Sequence, residues 1–352
     1  MEKHYLKIMK DTEERVMHSL RVQEMNPESV FFGGFYDDNG MVQAKYAIYR
    51  VASMIATYCN EESKFFHSKL IYQRISLGLS YIKSQQHRNG LFDYITCNFY
   101  SAPDTAFCVR KLLPIFEYLR QREKLAEGET IILQEVENIV KKGGYGLVEG
   151  GFHTPNHRWV IASVLAKVGV LFQEDALIQA AYCYLKEGID CNEDGEFSEK
   201  SAGNYNRINN DAMILLTESL GEEKYVTYAK KNLNMMLTYW EPDGSIFTAN
   251  STRFDKDRLI FPKDYYIQYL TLGIKYEIPE FLGMCNTIFD LIDEKRLTAP
   301  DCLISFMLDK RLRDVAYESR YIRADFKNFY KESGIVRAQI GRCTYTVMKE
   351  KS

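Results

Sequence analysis

Turn-like glycine phrases recur along this chain at a nearly constant interval, and no other feature restricts its fold so strongly. They are Asp38-Asn39-Gly40, Arg88-Asn89-Gly90, a glycine-rich run from Gly143 to Gly151, Glu193-Asp194-Gly195 and Pro242-Asp243-Gly244. The steps between them are 50, roughly 55, roughly 50 and 49 residues. A period of this size marks a repeated supersecondary unit, each repeat burying its apolar face against its neighbours. Between the phrases, apolar residues return every three or four positions, as in Ala44–Tyr58, Phe65–Lys83, Thr105–Arg120, Ile131–Lys141, Trp159–Phe172, Ala176–Glu187, Asn210–Leu220, Tyr225–Thr238 and Tyr265–Leu272. That is the period of a helix with one buried stripe.

Two helices per repeat over most of the 352 residues predict about six helical hairpins. Closing them into a ring buries both terminal repeats, so the expected fold is all-α, an (α/α)6 toroid over residues 1–328. An extended piece is expected after each turn, as in Gly90-Leu91-Phe92-Asp93, Gly195-Glu196-Phe197-Ser198 and Gly244-Ser245-Ile246-Phe247, with the aromatic residues packed at the hairpin ends. The tail reads differently. From Ser333 to Met348 it alternates like two strands joined at Gly341, so residues 329–352 are expected to form a short β segment. A lone hairpin is only marginally stable, so this one either packs on the helices or begins a β domain.

Composition removes several function classes. Lys plus Arg (45) and Asp plus Glu (48) nearly balance, with no basic block, which argues against nucleic acid. No run of 18 apolar residues occurs, so no membrane span is expected. The N-terminal MEKHYLKIMK is not a leader peptide, which points to the cytoplasm, or to export if a leader has been removed. The eight cysteines lack any CxxC pair, so reduced thiols are expected rather than a zinc site or disulfides. No metal or cofactor is called for, and the oligomeric state is left open. The 25 Tyr and 20 Phe suit helix packing and sugar contacts alike.

The candidate site starts at His153-Thr154-Pro155-Asn156-His157-Arg158-Trp159. Thr154 reads as an N-cap and Pro155 as the first helical residue. The free N–H groups and positive dipole end there favour an anion. Three other polar segments have a similar layout: Ser101 to Thr105, Gly203 to Asp211 with Asn204, Tyr205 and Arg207, and Asn250 to Asp255 with Arg253. In a toroid they share one rim. Tyr205, beside Arg207, suits a proton carrier. Asn156 would neutralise a substrate carboxylate, with His157 or His153 as base or second carboxylate ligand. Arg158, Arg207 and Arg253 would hold anionic groups, and Asp104, Trp159 and Asn204 would line the site.

These residues suit β-elimination on a uronic-acid-containing glycan. The layout resembles the heparinase II/III-like and alginate-lyase-like polysaccharide lyases, in which an α/α toroid precedes an antiparallel β domain. The resemblance implies Asn156 as the carboxylate-neutralising residue and Tyr205, 49 residues on, as the catalytic tyrosine. It implies His157 as the neighbouring histidine and an anionic polysaccharide or oligosaccharide as the partner. The chain departs from that pattern in having no histidine after His157. Three other readings stay open. A glycoside hydrolase on uronide oligosaccharides would use paired carboxylates drawn from Asp93, Asp104, Asp194 and Asp211. A non-catalytic carbohydrate-binding scaffold would show the same polar groups satisfied by one another. An isomerase or epimerase also starts with C5 proton abstraction.

Overall fold

The computed structural model describes residues 1–150 and 154–349. It is largely helical, with a two-stranded antiparallel sheet in the first third of the chain and a three-stranded one near the C-terminus. In chain order the helices are α1 (Glu2–Val22), α2 (Ala44–Cys59), α3 (Lys69–Gln85), α4 (Ala102–Gln121), α5 (Glu127–Glu149), α6 (Pro155–Phe172), α7 (Asp175–Leu185), α8 (Tyr205–Leu220), α9 (Lys224–Thr238), α10 (Tyr266–Lys275), α11 (Pro279–Glu294), α12 (Leu303–Leu308) and α13 (Arg311–Asp314). Consecutive helices pack as hairpins: α2 on α3, α4 on α5, α8 on α9 and α10 on α11. This is the α/α-hairpin architecture expected from the repeat.

The chain forms two compact units. The first takes Met1–His153, Val164–Ala181 and Asp301–Val315; the second takes Thr154–Ser163, Tyr182–Pro300 and Ala316–Ser352.

Four of the five glycine phrases are one turn repeated. Gly40, Gly90, Gly195 and Gly244 have φ of 76°, 92°, 89° and 83°. Each glycine N–H donates to the carbonyl three residues earlier: Asp37, His87, Asn192 and Glu241 respectively. Each of those residues in turn donates its own N–H to the carbonyl following the glycine, on Met41, Leu91, Glu196 and Ser245. A type I turn closed by a left-handed glycine requires that φ, which side chains with a Cβ resist. The extended pieces are present too. They form strand β1 (Phe92–Tyr94), paired with β2 (Asn98–Ser101), and single bridges at Tyr36–Val42, Cys191–Phe197 and Trp240–Ile246. Phe92 and Phe197 are fully buried, as the packing argument requires.

The fifth phrase is a correction. Gly143, Gly144 and Gly146 make no turn; α5 runs straight through them to Glu149. Their role is close approach. A Cβ on Gly143 would lie 2.5 Å from Val109 Cγ2, one on Gly144 2.6 Å from Val168 Cγ1, and one on Gly146 2.6 Å from the Asn89 carbonyl. The glycines cost helix propensity but let neighbouring backbone and β-branched side chains sit against the helix.

The tail holds three strands, β3 (Phe326–Tyr330), β4 (Ile335–Ile340) and β5 (Cys343–Met348), in the order β3-β4-β5. The β4–β5 hairpin turns at Gly341-Arg342, closing with the pair Ile340–Cys343. The third strand went unread because Phe326-Lys327-Asn328 precedes the alternating run, so the expected boundary at 328/329 falls within β3. Within the second unit the sheet is tied to the end of α9 by Arg337. This fully buried side chain donates to the Thr238 carbonyl at 3.0 Å and pairs with Glu241 at 3.0 Å. Among the described residues no helix is long and apolar enough to cross a membrane, and all eight cysteines are free.

Candidate active site

The second unit brings three of the four polar segments together, and two buried carboxylates do it. Glu199 lies beyond the Gly195 turn and is 2% exposed. It accepts the Asn156 backbone N–H at 3.2 Å and the Asn156 Nδ2 at 2.8 Å. Its Oε1 also accepts Arg253 Nε at 2.9 Å. The positive end of α6 is therefore occupied by a carboxylate of the chain itself. The Glu199 backbone carbonyl completes the link, accepting the Thr252 hydroxyl at 2.8 Å.

Asp255, fully buried, makes the second junction. It accepts Ser201 Oγ at 2.8 Å, Ser251 Oγ at 2.6 Å and the Gly203 N–H at 2.9 Å. Ser201 Oγ then accepts the Tyr205 N–H at 3.1 Å, which fixes the start of α8. Tyr205 is half-buried, and its ring meets the exposed Phe254 edge-on at 5.9 Å. The result is a rim: Asn156 and Arg253 side by side on one carboxylate, with Phe254, next to Arg253 in sequence, against Tyr205.

Burial raises the Glu199 pKa above the ordinary glutamate value, although Asn156 and Arg253 pull the other way. Asn156 Oδ1 is buried without a partner, and so are both polar atoms of Asn209, a fully buried residue in the first part of α8. Buried amides without partners are uncommon and ask for an explanation.

The remaining predicted residues fall elsewhere or have other duties. Trp159 is fully buried and its indole N–H donates to Asp190, so it offers no ring face to a sugar. Arg158 stacks over Trp159 and pairs with Glu187 at 2.7 Å and Asp190 at 3.5 Å; it is an internal tie rather than an anion clamp. Arg207 reaches Asp211, one helical turn on, at 3.5 Å. Asn204 is the N-cap residue of α8 without a capping side-chain bond. His157 is half-buried in the first turn of α6. Asp104 lies in the first unit, bonded to Ser101 Oγ at 2.6 Å and to Lys45 at 2.7 Å, the duties of a helix-start carboxylate. His153 lies outside the described residues. Among the described residues no group of three or more His, Cys, Asp or Glu side chains is arranged to hold a metal ion.

Sequence reasoning missed Glu199, Asp255 and Phe254. The last two lie inside a segment it singled out. Glu199 has one local clue, its place directly after the repeated Gly-Glu-Phe-Ser phrase, but its partners are 43 and 54 residues away.

No family model matches the chain, and no curated protein matches it in sequence. Solved structures do match it in fold. A xanthan lyase from Paenibacillus superposes with a TM-score of 0.62 at 11% identity, over 95% of this chain and 33% of its own. A chondroitin AC lyase from Streptomyces coelicolor, in complex with chondroitin sulphate, gives 0.62 at 13% identity, over 96% of this chain and 49% of its own. A heparan sulfate lyase from Pedobacter heparinus gives 0.52 at 13% identity, over 95% and 50%. At these identities the likeness is one of fold, and this chain spans between a third and a half of the length of each.

Proposed function

We propose that the second unit's rim cleaves an acidic polysaccharide by β-elimination. The observation that carries this reading is the shared seat of Asn156 and Arg253 on Glu199. Asn156 Nδ2, at 2.8 Å, and Arg253 Nε, at 2.9 Å, donate to the same carboxylate oxygen, which sets the amide and the guanidinium side by side. The Arg253 side chain is 36% exposed. A uronate carboxylate received there would be neutralised by an amide and a guanidinium, which makes its C5 proton acidic. Glu199 is a positioning residue in this scheme.

The reaction removes the C5 proton, forms the C4–C5 double bond from those electrons and breaks the C4–O4 bond. The departing O4 takes a proton. Tyr205, half-buried at the start of α8, delivers it, and His157 serves as base. Phe254, 67% exposed beside Tyr205, offers a sugar ring an apolar face. The fold shared with xanthan, chondroitin and heparan sulfate lyases supports the same reading. Paired-carboxylate hydrolysis gains no such support. Asp93 is bonded to His87 at 2.8 Å, Asp104 to Lys45, Asp194 to the Glu332 N–H at 3.0 Å, and Asp211 to Gln268 at 2.6 Å.

The test is a panel of uronate polysaccharides and oligouronides, following ultraviolet absorbance of the unsaturated product together with new reducing ends. Both are expected to rise together, and Tyr205→Phe is expected to lower kcat by about 100-fold or more, the scale of a lost general acid. New reducing ends without absorbance would overturn elimination in favour of hydrolysis.

A further inference from the structure

A second cavity in the same unit has no part in that scheme. It measures about 450 Å³ and lies among the ends of α9 and α11, the Gly244 turn, the 321–323 segment and the β4–β5 turn. Trp240, Tyr321, Arg323, Gln339 and Arg342 line it, together with Lys295. The volume falls in the lower part of the range for small-molecule pockets.

Its polar groups are incompletely used. Trp240 is 7% exposed, and its indole N–H is buried without a partner. Gln339 Oε1 is in the same position. Arg323 is half-buried and donates to the Trp240 carbonyl; no carboxylate lies within ion-pairing distance of it among the described residues. Behind it stands a second guanidinium, Arg337, whose own carboxylate partner is Glu241. Burial and the nearby Arg337 push the Arg323 pKa down, and the charge of Glu241, which is paired with Arg337, does not make up for them. Arg342, exposed at the β4–β5 turn, likewise has no ion pair among the described residues. The acidic lining residues are committed: Asp290 pairs with Arg320 at 2.7 Å, Glu294 with Lys295 at 3.0 Å, and Asp243 accepts from Ser245 at 2.6 Å.

We infer that this cavity is a binding site for a single acidic sugar residue, whose carboxylate or sulfate is received by Arg323 and Arg342 while its hydroxyls meet the Trp240 N–H and the Gln339 carbonyl. A buried guanidinium, an unused indole donor and an unused amide acceptor are complementary to a ligand that carries an oxyanion and hydroxyls together. A bare oxyanion would leave the Gln339 acceptor unfilled; a neutral sugar would leave the guanidiniums without a counter-charge. The ring faces of Trp240 and Tyr321 suit the C–H face of a pyranose. The inference stands apart from the cleavage reading, because it concerns binding at a different place in the unit.

Calorimetric titration of the full chain with sodium glucuronate tests it, with glucose and sodium sulfate at matched ionic strength as comparisons. Saturable glucuronate binding is expected, at least tenfold tighter than either comparison. Arg342→Ala, in an exposed turn, is expected to weaken it at least tenfold while the far-ultraviolet dichroism stays unchanged. Trp240→Phe keeps an aromatic face, though a smaller one, removes the N–H and is expected to weaken binding at least about five-fold, one neutral hydrogen bond's worth. Absence of saturable binding up to tens of millimolar overturns the site. So does sulfate binding as tightly as glucuronate, or glucuronate affinity unchanged in Arg342→Ala. Tyr205→Phe, which tests cleavage, is expected to leave this binding untouched, so the two readings fail separately.

Discussion

Glu129 and Glu199 are both buried glutamates at the start of a helix, one in each unit, and they are treated in opposite ways. Glu129 belongs to its own helix. It accepts the Ala126 N–H at 2.9 Å as a capping-box residue, bonds His67 at 3.2 Å and pairs with Arg122. Burial would raise its pKa, but those donors and the Arg122 charge outweigh burial and hold it below the ordinary value. Glu199 reaches α6 from 43 residues away, and there burial wins over Asn156 and Arg253. The first arrangement is that of a completed structural cap. The second leaves Asn156 Oδ1 buried without a partner, which is the state expected of a place built to receive something else. Two helix starts that look equivalent as polar capping segments differ in whether the local groups already close the network.

Removing the carboxylates sharpens that contrast. Glu129→Ala strands the Arg122 guanidinium and the Ala126 N–H, and urea unfolding is expected to show a loss of about 3 kcal/mol, the scale of breaking a buried pair. Glu199→Ala should cost less, about 1–2 kcal/mol, because the native carboxylate is itself penalised by burial. A Glu199 loss equal to or above that of Glu129 would erase the distinction drawn here. Ser101→Ala, at the ordinary cap of α4, removes the bond to the Asp104 N–H and is expected to cost about 1 kcal/mol. Asp104→Asn keeps the backbone cap, loosens the partly exposed pair with Lys45 and makes the bond from Ser101 Oγ a neutral one, for about 0.5 kcal/mol.

The pH dependence should separate the glutamates by sign. With its folded pKa lowered, Glu129 contributes stability that is present above roughly pH 4 and lost on acidification through the folded value. The cost of Glu129→Gln is therefore greatest near neutral pH. With its folded pKa raised, Glu199 contributes stability that is present below roughly pH 4 and lost as pH climbs through the folded value. The cost of Glu199→Gln is greatest in acid and shrinks toward neutrality. Parallel slopes in the two variants would show that both carboxylates are compensated alike.

Much of the helical architecture was legible because it is written locally. A left-handed glycine after an Asx residue and an apolar stripe of period 3.6 both declare themselves within a dozen residues, and the turns at Gly40, Gly90, Gly195 and Gly244 follow. The same rule failed at Gly143-Gly144, where glycine serves a packing contact with Val109 and Val168 that no local pattern announces. Helices α1, α11, α12 and α13 lie outside the segments named from the sequence. At the site, Asn156 and Arg253 were legible as polar residues at segment ends, and their shared seat was not, because Glu199 sits in a short irregular stretch with no periodicity. Trp159 and Arg158 show a related limit: an aromatic or charged residue in a first helical turn can turn to partners in its own unit, here Asp190 and Glu187, and only the fold decides which way it points.

The first unit is also completed late. Helix α12 packs on α1, α2 and α4, Phe306 meets Tyr5 at 5.8 Å between ring centroids, and Arg313 holds Glu2 and Glu62. Yet the whole of 182–300 is made before these residues exist. At roughly 5–20 residues per second, a ribosome leaves the N-terminal helix waiting roughly ten seconds or more for its closing partner. During that interval the apolar stripe of α1 around Ile8 lacks part of its cover, and holding that stripe soluble falls to the rest of the nascent chain or to a chaperone.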